Sequence, residues 1–177
     1  MNLNELSKKA HSNAVEHGFW EHRWTYQHCL MLVITEVAEL VEAHRSARLA
    51  NLDAFTKYDG RMTFDENFAK HVKNTVQDEF ADIAIRLLDL AGALGIDFDV
   101  MNPCRYHRAF DKFTFTENAF ALCKGLTREN IGVEKRIQFA LEYVTNWTES
   151  LFIGLPWHVD AKMKYNEHRD IRHGKSY

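Results

Sequence analysis

Apolar residues recur three and four positions apart along nearly the whole chain, and little interrupts that spacing. Eight glycines and two prolines among 177 residues are few for a sheet protein, which must turn sharply every few residues. The periodicity therefore predicts helices. Leu3, Leu6, Ala10 and Ala14 mark a first helix with Gly18 as its stop, and Thr25 caps a second that runs to about Leu49. Residues 50–62 form a polar connection. Thr63 or Asp65 caps a third helix, whose periodic part continues through "VQDEFADIAIRLLDLAGAL" to about Leu94, just before Gly95. Asn102-Pro103 breaks the chain, residues 117–125 and 130–153 predict two more helices, and Pro156 falls just beyond them. A last helical stretch over about 157–170 leads into the polar tail "RHGKSY". With no internal repeat, low-complexity tract or clear linker, residues 1–177 are expected to be a single all-α domain, a helical bundle of five to six helices.

A hydrophobic share of 46% and a formal net charge of −3 exclude a disordered chain and a basic binder of nucleic acid polymers. No apolar run reaches the length of a membrane span, so no membrane partner is expected. Cys29, Cys104 and Cys123 are odd in number and widely separated, and no signal-peptide core precedes them. They read as reduced thiols of a cytoplasmic protein.

Two acid pairs carry the chemistry. In "TEVAELVEA", Glu36 and Glu39 lie on the flank of the second helix, beside the apolar side formed by Leu30, Val33, Ile34, Val37, Leu40 and Val41. In "DEFADIAIRLLDLAG", Glu79 and Asp82 repeat the three-residue spacing on the flank of another amphipathic helix. The competing reading is structural: Asp82 pairs with Arg86 one turn later, and Glu42 with Arg45. If the two helices pack side by side, however, four carboxylates converge. Two bare carboxylates ~4 Å apart repel by about 4 kcal/mol at an effective dielectric near 20, which calls for a cation. Ligation by carboxylates alone suits Mg²⁺, with Mn²⁺ as a substitute, and not zinc. A di-iron site is excluded because no glutamate has a histidine three residues later. Trp20 and Trp24 could stack on a base or pack in the core, and His28 could face a pocket or be a structural histidine. No phosphate-loop or Gly-x-Ser-x-Gly pattern appears, which leaves activated water as the nucleophile.

"EVAELVEA" followed by "DEFADIAIRLLDLAG" resembles the ExxE…ExxD signature of the all-α nucleoside triphosphate pyrophosphohydrolases, the MazG-like enzymes and their dimeric dUTPase and dCTP pyrophosphatase relatives. "KMKYNEHRDIRHGK" is similar to the Lys-x-x-x-Asn-x-x-Arg segment that closes many of those domains. The resemblance implies that Glu36, Glu39, Glu79 and Asp82 are magnesium ligands; one acid must stay at least partly unligated to take the proton of the attacking water, and Glu39 is assigned that dual role as general base. It implies that Lys162, Asn166 and Arg169, on one stripe of the last helix, contact the nucleotide. The implied reaction is Mg²⁺-dependent hydrolysis of a nucleoside triphosphate to the monophosphate and pyrophosphate, in nucleotide-pool sanitation, by a homodimer or homotetramer. A base-specific dUTPase or dCTP pyrophosphatase, or a catalytically silent bundle that binds nucleotides or partner proteins, remains open. Two features depart from the family pattern: about 40 residues separate Glu39 from Glu79, and residues 99–156 add a helical elaboration before the last motif.

Overall fold

Every regular element among the described residues is helical. The order is α1 (Leu3–Glu16), α2 (Tyr26–Arg45), α3 (Leu52–Thr56), α4 (Phe64–His71), α5 (Val76–Ala93), α6 (Phe115–Leu126), α7 (Val133–Ser150) and α8 (Leu155–Asn166), with three short 3₁₀ segments. The computed structural model describes residues 2–57, 60–102 and 108–174, the side chain of His173 excepted. Cys104 and Pro103 lie outside them.

Helix starts follow local chemistry. The side chains of Asn2, Thr25 and Thr75 accept from backbone N–H groups three residues on, which satisfies donors a helix leaves bare. Thr63 with Glu66 and Thr114 with Glu117 form reciprocal capping boxes. Gly18 and Gly95 take φ values of +76° and +63° just past α1 and α5, a conformation that costs glycine little.

The all-α class holds, and the helix number exceeds the expected five to six. The third predicted helix is two, α4 and α5, because Asn74 turns with φ +58° and Thr75 opens a fresh cap. The connection after α2 contains the short α3. Pro156 does not end a helix but sits in the first turn of α8, where its missing N–H is no loss. That last helix stops at Asn166 instead of running to about 170. Its final carbonyls are taken by turn bonds, from Glu167 N–H to Met163 and from Arg169 N–H to Asn166. Arg169 therefore lies beyond the helix, off the expected stripe.

α5 is the central helix. Its Phe80, Ile83, Leu87 and Leu88 are buried with Val33, Val37 and Leu40 of α2, Leu122 and Leu126 of α6, Val144 and Trp147 of α7, and Val159 and Met163 of α8. The elaboration's helices α6 and α7 thus belong to the same core, where Trp147 meets Phe80 edge-on at 5.0 Å. α1 presses on α5 at Gly92, where an added Cβ would stand 2.6 Å from the Ser7 carbonyl oxygen. Among the described residues no helix is long and apolar enough to cross a membrane.

Candidate metal centre

The packing of α2 against α5 brings the two acid pairs together. Glu36, Glu39 and Glu79 each offer one carboxylate oxygen, and the three oxygens lie within 4.8 Å of one another. Glu36 and Glu79 are buried while Glu39 is exposed. The Oε2 of Glu79 is shielded from solvent and has no hydrogen-bond partner. Burial, reinforced by the charges of Asp82 and Asp78, pushes the Glu79 carboxyl up to about 8. Glu36 is raised by burial and by Asp82, and the Arg86 guanidinium opposes that rise by donating its Nε–H to Glu36 Oε1. Arg86 thus pairs across the helix interface with Glu36, not along its own helix with Asp82. The expected Arg45–Glu42 contact forms, at 3.2 Å.

Asp82 has a different partner. Lys162 reaches from α8 and places its Nζ 2.6 Å from Asp82 Oδ2 and 2.8 Å from Asp78 Oδ2. The lysine is only 3% exposed. Burial pulls its ammonium down, but Asp82 and Asp78 outweigh that effect and hold it above the ordinary lysine range. Asp78 itself is pushed up to about 6, by burial first and the Asp82 charge second. Lys162, implied by the resemblance to be a phosphate contact, is here the counter-ion of two aspartates behind the carboxylate cluster. It fixes Asp82 beside Glu79 and ties α8 to α5.

Beside the cluster, Asp82 and Arg86 line a cleft between α1, α2 and α5. Its walls include Trp20, Trp24, His28, Asp82, Arg86 and Asn166. Trp24 and His28 stack with ring centres 4.3 Å apart, and Trp20 donates its indole N–H to Asp89 Oδ1 at 2.9 Å. His11 Nδ1 meets the same oxygen at 2.8 Å. Burial raises the Asp89 carboxyl, against the opposing pull of those two hydrogen bonds. Cys29 also lines the cleft, its thiol raised to about 11 by burial and then by Asp89, which keeps it protonated and unreactive. Asn166 is buried there, and its Oδ1 has no partner. Arg169 lies near the Tyr165 ring, 5.9 Å from its centre.

The residues suit a small hard cation. Three oxygen donors converge, and Glu79 carries a buried carboxylate oxygen without a partner, which a cation at the cluster would satisfy. Oxygens about 2.1 Å from one octahedral ion lie ~3.0 Å apart when adjacent and ~4.2 Å when opposite, so the three side chains would draw together around it.

Of the sequence-derived residues, the structure gathers Glu36, Glu39 and Glu79, sets Asp82 next to them on Lys162, puts Asn166 in the cleft and leaves Arg169 past the helix end. Asp78, Asp89 and His11 escaped the sequence reading. The available signal was spacing: 78, 82 and 89 fall on one stripe of α5, so a helical projection from Asp82 reaches the other two. Compared with known proteins, the chain matches no family model, no curated protein and no solved structure.

Proposed function

We propose that this protein is a Mg²⁺-dependent nucleoside triphosphate pyrophosphohydrolase of the MazG-like type. The observation that carries the reading is the convergence of Glu36, Glu39 and Glu79 from two facing helices, with Asp82 and the Glu36 partner Arg86 lining an aromatic cleft beside them. Glu36, Glu79 and Glu39 would hold the ion, with Asp82 adjacent. A divalent ion there supplies charge neutralisation for a triphosphate and lowers the pKa of a bound water. Glu39, exposed to solvent, is placed to take the proton of an attacking water. Arg86 orients Glu36, Lys162 orients Asp82, and the Trp24–His28 pair offers a stacking surface for a base.

The test is a panel of nucleoside and deoxynucleoside triphosphates with Mg²⁺, read as pyrophosphate release, in ¹⁸O-labelled water. Label is expected in the nucleoside monophosphate. Orthophosphate as first product, or label in the pyrophosphate, would refute attack at the α-phosphate. The same reading makes the protein a cytoplasmic homodimer or homotetramer, which sedimentation measures directly. A second reading, a catalytically silent nucleotide- or partner-binding bundle, draws support from the ion pairs that already compensate Glu36 and Asp82. Calorimetry separates the two: that bundle needs no Mg²⁺, and the hydrolase must bind it.

A further inference from the structure

α7 begins differently from the helices whose caps are side chains. Gly132 stands at its N-cap, and among the described residues no side chain accepts from its first amides. The N–H groups of Val133, Glu134 and Lys135 therefore point out of the helix without a partner among the described residues, at the positive end of an 18-residue dipole. One turn further on, Arg136 N–H closes the first helical bond, to the Gly132 carbonyl at 3.2 Å.

The Arg136 side chain is the second observation. It is 7% exposed, and its Nε is sealed from solvent without an acceptor. Among the described residues its guanidinium has no carboxylate or carbonyl partner; it lies over the Tyr26 ring, 5.2 Å from the centre. Burying an unpaired guanidinium is costly, and proteins ordinarily match such a group with an anion. Arg136, Tyr26 and residues 129–133 line a pocket of about 410 Å³ at this helix end. Two acids stand near: Glu129 lines the pocket, and the Glu134 carboxylate lies 2.8 Å from where a Gly132 Cβ would stand. Neither pairs with Arg136.

We propose that the N-terminus of α7 and Arg136 together form a binding site for a phosphate group, carried by inorganic phosphate or a phosphomonoester. Backbone amides grip such an oxyanion at a helix start, and a guanidinium donates to its oxygens in parallel. The site is separate from the carboxylate cluster. Tyr26 opens α2 and Glu36 lies ten residues along it, roughly 15 Å away at 1.5 Å per residue. Phosphate binding here does not depend on the pyrophosphohydrolase reading.

The experiment is a titration of ¹⁵N-labelled full-length protein with inorganic phosphate and, separately, glycerol phosphate, in EDTA so that no metal-bridged phosphate forms at the acids. Saturable shifts are expected in the amides of Val133, Glu134 and Lys135 and in the Arg136 Nε–H. Chloride at matched ionic strength should produce none, and the tighter of the two ligands names the source. Arg136→Met should weaken the affinity tenfold or more. Gly132→Asp should do the same by supplying an internal carboxylate to the bare amides, and it leaves Arg136 intact if the first variant does not fold. Absence of saturable shifts in the wild-type protein at 20 mM phosphate would overturn the site, with Glu129 or Glu134 then swinging in to pair with Arg136. Shifts that chloride reproduces, or that survive both substitutions, would overturn it equally.

Discussion

Replacing Glu79 by Gln should make the metal-free protein more stable at alkaline pH while abolishing its response to Mg²⁺. The Glu79 carboxyl is 3% exposed, has an oxygen without a partner, and is raised from an ordinary 4.5 to about 8. A raised acid binds its proton more tightly folded than unfolded, so its contribution is fully favourable below about pH 4.5 and is lost as pH rises toward 8. Between about pH 5.5 and pH 9 that linkage is worth at most ~3 kcal/mol. Water and ions around the partly open cluster reduce it, so a difference of about 1.5–3 kcal/mol is expected. Gln cannot ionise, and it shares with protonated Glu the cost of an unpaired buried group, so that cost largely cancels. Urea unfolding of both proteins in EDTA at the two pH values measures the effect. The stability difference should move in favour of Glu79→Gln on going to high pH. With Mg²⁺ at about 100 times its dissociation constant, the wild type should gain ~2.7 kcal/mol and the variant close to nothing. A stability difference that does not change with pH would refute the buried, repelled carboxylate. An equal Mg²⁺ response in both proteins would remove Glu79 from the metal centre.

Lys162→Met should cost about 3–5 kcal/mol in urea unfolding, because it strands Asp78 and Asp82 beside each other, whereas Lys164→Met on the exposed side should cost about 1 kcal/mol or less. His158 is buried, and burial alone lowers its imidazole to about 4. Its contribution is present above about pH 6.5 and lost as pH falls toward 4, so His158→Gln should remove up to ~3 kcal/mol of acid sensitivity in an unfolding series over that range. Gly92→Ala should destabilise by about 1–3 kcal/mol in thermal or urea unfolding, since the new methyl group meets the Ser7 backbone at 2.6 Å and α1 must back away.

Much of the scaffold was legible because it is written locally. Thr25 and Thr63 cap where a hydroxyl before an apolar run should cap, and Gly18 and Gly95 turn where a glycine after one should turn. The break at Asn74 was hidden because the apolar repeat carries through it, and periodicity alone does not register a single residue with positive φ. Pro156 reads as a stop or a start from the same dipeptide context, and only the register of α8 against α5 decides. In the site, the three-residue acid spacing pointed to Glu36, Glu39 and Glu79, of which Glu36 and Glu79 face inward and Glu39 faces solvent. The counter-ions were not legible, because ion pairing is a matter of which helices touch. Arg86 has acids within reach on its own helix and on α2, and Lys162 finds its partners 80 or more positions earlier in the chain. The projection that joined Arg169 to Lys162 assumed a helix that the fold ends three residues sooner.

The Lys162 bridge also sets an order of events during synthesis. Lys162 follows Asp78 by 84 positions, an interval of roughly 4 to 17 seconds at 5–20 residues per second. Once Ala93 is made α2 and α5 are complete, and until Lys162 follows their facing acids have water, protons or a dissolved cation for compensation but not the ammonium group built to sit between two of them. The first turn of α5 therefore gains its lasting charge balance only when α8 arrives and docks. The bundle closes from its C-terminal end, with one lysine as the fastening.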